Sequence, residues 1–241
     1  NIVLEEGYHF SEITINDSPK SKELFIFINN HFSEYYGYPN KFLQETLIYC
    51  SDDKIYNIGL YHKNILIGFI HAKPIKLVIK SIELKIYYVD FLCIHKNYRR
   101  KNLAAYLISK LINSLGKDQT FIFKKEMKPL PFNYINKTSY YYVDITFLKE
   151  RVITNKIKFM TNENIDKVYE FINLVSKKSL IYSKLTLEEF IKLYHHNTCK
   201  NILVEYDNQN NIIAVLSFVN LTFTNSSQPS KTADIEQTLV Y

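Results

Sequence analysis

The spacing of apolar residues along the chain predicts several helices. Leu24, Ile28 and Phe32 recur at four-residue steps, which is the period of one helix face. A row of leucines follows the same period from Leu103 to Leu115, and Gly116 directly after it is a natural stop. The same reasoning predicts helices over about 22–34, 41–49, 103–115, 165–175 and 186–194.

Strands are indicated where apolar and β-branched residues cluster between turn-forming residues. The clearest example is a hairpin around His62-Lys63-Asn64, and we expect Pro74 to end its second strand because proline cannot donate to a β-ladder. The predicted strands are 54–61, 65–72, 76–80, 83–94, 120–124, 140–148, 201–206, 212–220 and 236–241.

The order helix, helix, strand, strand occurs twice in this pattern. The first copy spans 22–72 and the second 161–220, an offset of roughly 140 to 150 residues. After the second copy only one more strand-like stretch precedes Tyr241. The sequence therefore predicts an α/β protein of two tandem units, 1–150 and 151–241, around a mixed, mostly antiparallel sheet, with the second unit incomplete.

Composition narrows the possible ligands. The chain has 241 residues, 46% of them hydrophobic, and its 30 basic and 24 acidic residues give a net charge of +6. This positive charge is too thinly spread to indicate binding of nucleic acid.

Cys50, Cys93 and Cys199 are odd in number and far apart, so we expect reduced thiols and a cytoplasmic protein. The adjacent His195-His196 cannot share one helix face, and we expect no metal site. No apolar run approaches the ~18 residues of a membrane span.

The candidate site lies where strand 83–94 passes through a cationic turn into helix 103–115. Arg99, Arg100 and Lys101 precede a helix start whose N–H groups are unpaired and carry the positive end of the helix dipole. Phosphate groups bind readily to such N–H groups. The spacing leaves two interpretations open: a cradle for a diphosphate such as that of coenzyme A, or a solvated basic turn between a core strand and a core helix.

The residues of this junction resemble those of a known family. The turn Arg-x-x-Gly-x-Ala of acyl-CoA-dependent (GNAT-like) N-acyltransferases is similar to the run Arg99 to Ala104, with Asn102 in place of glycine. Asn is among the residues that best tolerate a positive φ. The N-myristoyltransferase (glycylpeptide N-tetradecanoyltransferase) family carries Phe-Leu-Cys-Val-His-Lys-Lys-Leu-Arg-Ser-Lys-Arg-Val-Ala here, and this chain reads Phe91-Leu92-Cys93-Ile94-His95-Lys96-Asn97-Tyr98-Arg99-Arg100-Lys101-Asn102-Leu103-Ala104.

The resemblance extends to both units. Residues 66–74 are similar to the family's Leu-Val-Gly-Phe-Ile-x-Ala-x-Pro strand. In the second copy, Val204-Glu205 and Leu216-Ser217-Phe218 resemble its Val-Val-Glu and Leu-Ser-Phe strands. The likeness therefore implies a fold of tandem acyl-CoA N-acyltransferase (GNAT-like) units covering most of the chain.

The resemblance also implies an activity and a site. A member of this family transfers the acyl group of myristoyl-CoA to the N-terminal glycine amine of a protein, with no metal and no nucleophilic side chain. Backbone N–H groups matching Phe91 and Leu92 would form an oxyanion hole and carry the catalysis. The residues implied to line the coenzyme A site are Phe91, Leu92, Cys93, Ile94, Arg99, Arg100, Lys101, Asn102, Leu103 and Ala104.

The sequence departs from the family in its peptide-side residues. The family's base is its own C-terminal carboxylate, whereas Tyr241 falls where the family has an internal strand. Its Arg-Tyr-Trp-His segment has become roughly Asn133-Tyr134-Ile135-Asn136. These departures keep two further hypotheses open: a non-catalytic acyl-CoA or lipopeptide binding protein, and a small-acyl acetyltransferase of the same superfamily.

Overall fold

The computed structural model describes residues 6–32, 36–48, 54–116, 118–123, 156–195, 200–223 and 230–240. In chain order its elements are β1 (Tyr8–Glu12), α1 (Pro19–His31), β2 (Tyr36–Gly37), α2 (Asn40–Leu47), β3 (Tyr56–His62), β4 (Ile65–Ile79), β5 (Ile82–Ile94), a 3-10 turn (Lys96–Tyr98), α3 (Leu103–Leu115), β6 (Phe121–Phe123), β7 (Ile157–Phe159), α4 (Ile165–Ser176), β8 (Ile181–Ser183), α5 (Leu187–Phe190), a π turn (Ile191–His195), β9 (Lys200–Tyr206), β10 (Ile212–Phe223) and β11 (Ser230–Val240).

The strands form two sheets. The first has the order β1-β3-β4-β5-β6, and β8 also pairs with β4. The second has the order β11-β10-β9-β7, and β2 also pairs with β10. The pairing is antiparallel except between β5 and β6, which are parallel. The expected mixed, mostly antiparallel α/β architecture is confirmed.

The predicted internal repeat is present and more complete than the sequence suggested. The order β1-α1-β2-α2-β3-β4 recurs as β7-α4-β8-α5-β9-β10, with β1 on β3 in one copy and β7 on β9 in the other. The copies also exchange their short strands, since β2 pairs with β10 and β8 pairs with β4. Tandem units are thus confirmed, whereas the boundary near residue 150 stays a prediction because 124–155 lie outside the described residues.

Local signals at the helix ends account for the bounds of the helices. The Ser18-Pro19 pair opens helix α1, because the Ser18 side chain accepts a hydrogen bond from the Ser21 N–H and Pro19 occupies the first turn. Helix α3 has its predicted bounds and ends before Gly116, whose φ of 91° suits a residue without a Cβ. The reciprocal hydrogen bonds of Thr186 and Glu189 cap α5, as predicted.

Helices cover both faces of the first sheet. One core packs α3 against β3, β4 and β5, and Gly68 of β4 permits the close approach, because a methyl group there would lie 2.9 Å from the Ile94 and Leu107 side chains. A second core packs α1 and α2 on the opposite face. A third lies between α4, α5 and the second sheet. None of the described helices is long and apolar enough to cross a bilayer.

One expectation about β4 was wrong. We expected Pro74 to end this strand, but β4 continues to Ile79 and pairs Pro74 with Tyr87 of β5. On its other side β4 last pairs with β3 at Ala72 and first pairs with β8 at Leu77. Among the described strands, none pairs with β4 on that side at the proline, so the missing N–H removes no hydrogen bond to them.

Four short strands were missed, and one predicted strand cannot be compared. β1, β2, β7 and β8 have two to five residues each, which is too short for a periodic pattern to be recognised in the sequence. The last strand, β11, begins at Ser230 rather than near residue 236. The strand predicted at 140–148 lies outside the described residues.

Two apolar residues of α1 offer a matched test of the packing. Leu24 is fully buried, whereas Ile26 is 61% exposed. We expect Leu24→Ala to lower the free energy of unfolding by about 2–5 kcal/mol, because it leaves a cavity in the core. Ile26→Ala should change it by no more than about 0.5 kcal/mol. Urea unfolding followed by circular dichroism measures both, and equal losses would contradict the assigned inner face of α1.

Candidate functional site

A β-bulge lies at the centre of the site. The ladder between β4 and β5 pairs Phe69 with Cys93 and His71 with Asp90, so that Phe91 and Leu92 together oppose the single residue Ile70. Phe91 has a positive φ of 51°, which is uncommon for a residue with a bulky side chain. The bulge therefore presents two consecutive backbone groups of β5 in an irregular arrangement.

The bulge also changes which face of the sheet the side chains reach. Val89 and Leu92 pack in the core beneath α3, whereas Phe91 packs in the core beneath α1 and α2. Since strand residues alternate and Val89 faces α3, Asp90 and Phe91 share the α1–α2 face. A carboxylate and a buried aromatic ring thus stand side by side on one face of the sheet.

Contacts around Phe91 stabilise its unusual backbone. The Phe91 ring is buried, with ring centroids 5.0 Å from Phe32 and 5.8 Å from Tyr38. Its N–H donates a 2.8 Å hydrogen bond to Oδ1 of Asp90. The N–H for which the family resemblance implies a place in an oxyanion hole therefore faces a neighbouring carboxylate in this structure.

The described strands cover only part of the outer edge of β5. β6 pairs with Tyr87, Tyr88 and Val89 and with nothing beyond them. Among the described strands, none pairs with the outer edge of β5 from Asp90 to Ile94. Backbone groups on such an edge can hydrogen bond to an extended ligand.

The turn after β5 has an unusual backbone conformation. Arg100 and Asn102 both have left-handed φ values, 66° and 59°, on either side of Lys101. The Asn102 side chain makes no capping hydrogen bond to α3. The Ala105 N–H donates to the Asn102 carbonyl at 3.1 Å, which leaves the N–H groups of Leu103 and Ala104 without a partner inside the helix. Residues of alternating handedness before a helix start form a concave anion site.

The cationic side chains of the turn have different surroundings. Arg99 donates from Nε to the Ile94 carbonyl at 3.2 Å and from Nη2 to the His31 carbonyl at 2.8 Å, which ties the turn to the end of α1. Arg100 and Lys101 are exposed. Arg99, which is exposed as well, therefore holds the shape of the turn, and the two residues after it carry further exposed positive charge.

The histidine at the end of α1 reports the electrostatic environment of this turn. The ring centroids of His31 and His95 lie 4.3 Å apart. Burial, together with smaller contributions from the nearby His95, Lys96 and Arg99, lowers the pKa of His31 to about 4. The positive charges at this corner therefore disfavour a further cation, whereas burial, the larger cause, disfavours a charge of either sign.

A row of polar side chains crosses three strands beneath α1 and α2. Asn57 of β3 is paired with His71 of β4, which is paired with Asp90 of β5. The Asn57 amide nitrogen donates to the Leu47 carbonyl, so its Oδ1 accepts from Nδ1 of His71 at 2.8 Å. Nε2 of the fully buried His71 has no hydrogen-bond partner among the described residues.

Burial determines the protonation of this row and of the neighbouring thiol. It lowers the pKa of His71 to about 3, with a smaller contribution from Lys73, so the imidazole is neutral at pH 7. Burial raises the pKa of the Cys93 thiol well above its usual range. Cys93 is therefore a poor nucleophile and acts as an apolar core residue.

The sequence-predicted site residues divide by side-chain environment. Six of these residues are at least half-buried, so they can present backbone to a ligand more readily than side chains: Phe91, Cys93, Ile94 and Leu103 are buried, and Leu92 and Ala104 are half-buried.

The sequence did not indicate Asp90 or His71 as residues of this site. The only signal for His71 was the presence of a histidine within the apolar strand β4. No group of three or more potential metal ligands occurs in the described parts of the chain. Residues 133–136, the segment compared with the family's Arg-Tyr-Trp-His, lie outside the described residues.

Comparison with known proteins establishes the family. A sequence profile described as "Myristoyl-CoA:protein N-myristoyltransferase, N-terminal domain" matches residues 1–122, which is half of the chain. The chain belongs to the N-myristoyltransferase family. The resemblance of the junction motif is thereby confirmed.

Individual relatives agree with the profile. A glycylpeptide N-tetradecanoyltransferase of Kluyveromyces lactis is 22% identical over 92% of this chain and 57% of its own length. A putative glycylpeptide N-tetradecanoyltransferase of Amsacta moorei entomopoxvirus is 30% identical over 78% of this chain and 60% of its own. The chain thus spans well under two thirds of the length of these relatives.

A solved structure shares the fold. The N-myristoyltransferase of Saccharomyces cerevisiae, crystallised with bound myristoyl-CoA, superimposes with a TM-score of 0.82 at 18% identity. The match covers 99% of this chain and 67% of the yeast chain. The N-myristoyltransferase fold of the chain, an acyl-CoA N-acyltransferase (GNAT-like) architecture, follows from this likeness.

The depressed pKa of His71 predicts a dependence of stability on pH. The unfolded chain takes up a proton at this histidine near its ordinary pKa of 6.5, whereas the folded chain does so only near 3. The stabilisation of the folded chain by the neutral His71 is complete above the unfolded pKa of 6.5, and it is lost as the pH falls from 6.5 toward the folded pKa of about 3. Wild type should lose about 2 kcal/mol from this group between about pH 7 and pH 5.

The variant His71→Gln isolates this contribution. Glutamine can still donate to Asn57 but does not titrate. Between pH 7 and pH 5 the variant should therefore lose about 2 kcal/mol less of its free energy of unfolding than wild type does. The contribution of His31, which also lowers stability as the pH falls, remains in both proteins. Urea unfolding at both pH values measures the difference, and an unchanged slope in the variant would contradict a neutral buried His71.

Proposed function

We propose that this chain transfers a long-chain acyl group from myristoyl-CoA to the N-terminal glycine amine of a protein. The observation that carries the proposal is the bulge at Phe91 and Leu92, directly upstream of the left-handed turn and the start of α3. One continuous stretch of backbone thus offers donors for a thioester carbonyl and for a diphosphate. Family membership supports this assignment over the small-acyl acetyltransferase hypothesis.

The bulge would act on the reacting carbonyl. When an amine attacks a thioester, negative charge develops on the carbonyl oxygen, and backbone N–H groups aimed at that oxygen lower the barrier. The Phe91 and Leu92 N–H groups are our candidates for this role. The edge of β5 from Asp90 to Ile94, with which none of the described strands pairs, would hold the extended, amide-containing arm of coenzyme A by backbone hydrogen bonds.

The turn would act on the diphosphate. The first N–H groups of α3, with the exposed Arg100 and Lys101, can neutralise two adjacent phosphates. The low pKa of His31 supports this assignment, since part of it comes from positive charge at the same corner. Arg99 would contribute by fixing the turn through the Ile94 and His31 carbonyls.

We assign donor and acceptor substrates to different units. Residues 1–150 would bind acyl-CoA and residues 151–241 would contribute the peptide side. The exchange of β2 and β8 supports a shared substrate site, because each sheet contains a strand from the other half of the chain. The names of the relatives, glycylpeptide N-tetradecanoyltransferases, support a protein with an N-terminal glycine as acceptor.

Asn102 provides a matched test of the turn. Its φ of 59° is tolerated by asparagine and glycine but strained for a β-branched residue, at a cost of about 1–2 kcal/mol. Asn102→Val should weaken myristoyl-CoA binding about tenfold, which corresponds to about 1.4 kcal/mol, whereas Asn102→Gly should stay within about twofold. Isothermal titration calorimetry measures both, and equal affinities would remove the turn from the binding site.

Direct assays test the activity itself. Myristoyl-CoA should raise the melting temperature of the chain more than acetyl-CoA does, because a ligand stabilises the folded state that binds it. With a peptide that begins with glycine, mass spectrometry should detect the myristoylated product. Stabilisation without product would support the non-catalytic binding protein, and neither effect would overturn the proposed function.

A further inference from the structure

An exposed apolar face lies at the turn between β4 and β5. Ile79 of β4 pairs with Ile82 of β5 on one side and with Ile181 of β8 on the other. Directly opposed residues of neighbouring antiparallel strands reach the same face of a sheet, so the three isoleucines form one row across three strands. Ile82 is 64% exposed and Ile181 is 40% exposed. The row therefore presents apolar side chains to solvent.

The apolar surface continues beyond this row. Leu84 lies two residues after Ile82 on β5, so it reaches the same face, and it is 39% exposed. Leu180, directly before β8, has the largest exposed fraction of the large apolar side chains in the described part of the chain, 71%. Its carbonyl accepts a 2.9 Å hydrogen bond from the Lys80 N–H, which holds its backbone beside the turn. Four exposed residues thus form one surface, the tip patch: Ile82, Leu84, Leu180 and Ile181.

The chain segments that carry the tip patch are strongly basic. Residues 76–85 and 174–184 contain six lysines and a single acidic residue, Glu83, which is a net charge of +5 out of +6 for the whole chain. The lysines are Lys76, Lys80, Lys85, Lys177, Lys178 and Lys184. Positive charge that is sparse over the chain as a whole is thus concentrated next to the exposed apolar side chains.

Acidic side chains lie against two of these lysines. Nζ of Lys184 is 2.6 Å from a carboxylate oxygen of Glu83, and Nζ of Lys76 is 3.5 Å from a carboxylate oxygen of Glu189 in α5. With Glu189 counted, the two segments still have a formal net charge of +4. The tip patch therefore lies on a surface where positive charge predominates.

We propose that the tip patch docks on a membrane surface that contains anionic lipids. Its apolar side chains would enter the boundary between headgroups and acyl chains, and the lysines would lie at the depth of the phosphates. Lysine suits this position, because its methylene stem can lie in the apolar layer while its ammonium group stays among the headgroups. An excess of positive charge around exposed apolar residues is complementary to such a surface.

The docking surface combines the two halves of the chain. The turn between β4 and β5 lies in the first half, whereas Leu180 and Ile181 lie in the second. The pairing of β8 with β4 brings them together, so docking requires both halves to be folded on each other. Docking of this kind is peripheral, and it is independent of the proposed acyl transfer.

Paired substitutions of exposed residues test the apolar contribution. Ile82→Ser with Leu180→Ser removes half of the tip patch. Ile26→Ser with Ile65→Ser is the matched control, because these residues are 61% and 58% exposed and lie on α1 and at the opposite end of β4. Thermal unfolding checks that both variants remain folded.

Co-sedimentation with vesicles measures the affinity, using phosphatidylcholine alone or with about 30% phosphatidylserine. Wild type and the control should bind the anionic vesicles at least about tenfold more tightly than the neutral ones. The tip variant should bind the anionic vesicles at least about tenfold more weakly than wild type, because two apolar side chains no longer leave water.

A second pair of variants tests the charge. Lys80→Gln with Lys177→Gln removes exposed lysines from the turn after β4 and from the end of α4. Lys20→Gln with Lys22→Gln removes two exposed lysines of α1 and leaves the same net charge. Affinity for anionic vesicles should fall about tenfold to thirtyfold in the first variant and no more than about threefold in the second, because attraction to the lipids decays within a Debye length.

Three results would contradict membrane docking: no binding of wild type to anionic vesicles, equal binding to both kinds of vesicle, or equal losses in the tip and control variants. Sedimentation velocity without vesicles tests the other occupant that an apolar surface can have, a second copy of the chain. A wild-type dimer that Ile82→Ser with Leu180→Ser dissociates would assign the tip patch to self-association and overturn its docking on membranes.

Discussion

The left-handed backbone of Phe91 is the constraint on which the rest of the junction depends. A bulky residue with this φ within a strand costs about 1–2 kcal/mol. Burial of its ring, worth about 1.5–3 kcal/mol, and the hydrogen bond from its N–H to Asp90 offset that cost. Without the bulge, Asp90 and Phe91 would face opposite sides of the sheet. The same irregularity thus sets both the candidate oxyanion donor and the carboxylate beside it.

The segments around the bulge are held by contacts between distant parts of the chain. Arg99 joins the carbonyl that ends β5 to the carbonyl that ends α1, so the turn cannot move independently of the helix above the bulge. At a larger scale, β2 and β8 cross between the two sheets. Neither unit can therefore form its complete sheet without the other, which argues for folding and function as a pair.

Much of the fold follows from local signals, and the departures have non-local causes. The row of leucines in α3, the Thr186 capping box and the hairpin after His62 are all encoded within a few residues, and the structure contains them. β2 and β8 are short and pair with strands far away in sequence, so no local pattern marks them. In the site, the basic turn could be recognised from its residue types. The bulge could not, because a one-residue irregularity in a strand leaves no periodic pattern in the sequence. The partners of Arg99 and His71 likewise depend on the tertiary fold.

A site built from backbone explains how the sequence can diverge while the junction keeps its shape. The side chains of Cys93, Ile94 and Leu103 are buried, so core packing determines which side chains fit there and contact with a ligand does not. The groups that would meet coenzyme A are N–H groups, which every residue except proline supplies. What must be retained is a set of φ values, and Asn102 retains one of them without glycine. At 18% identity to the yeast enzyme the fold persists, which is the expected result when geometry rather than side-chain identity forms the site.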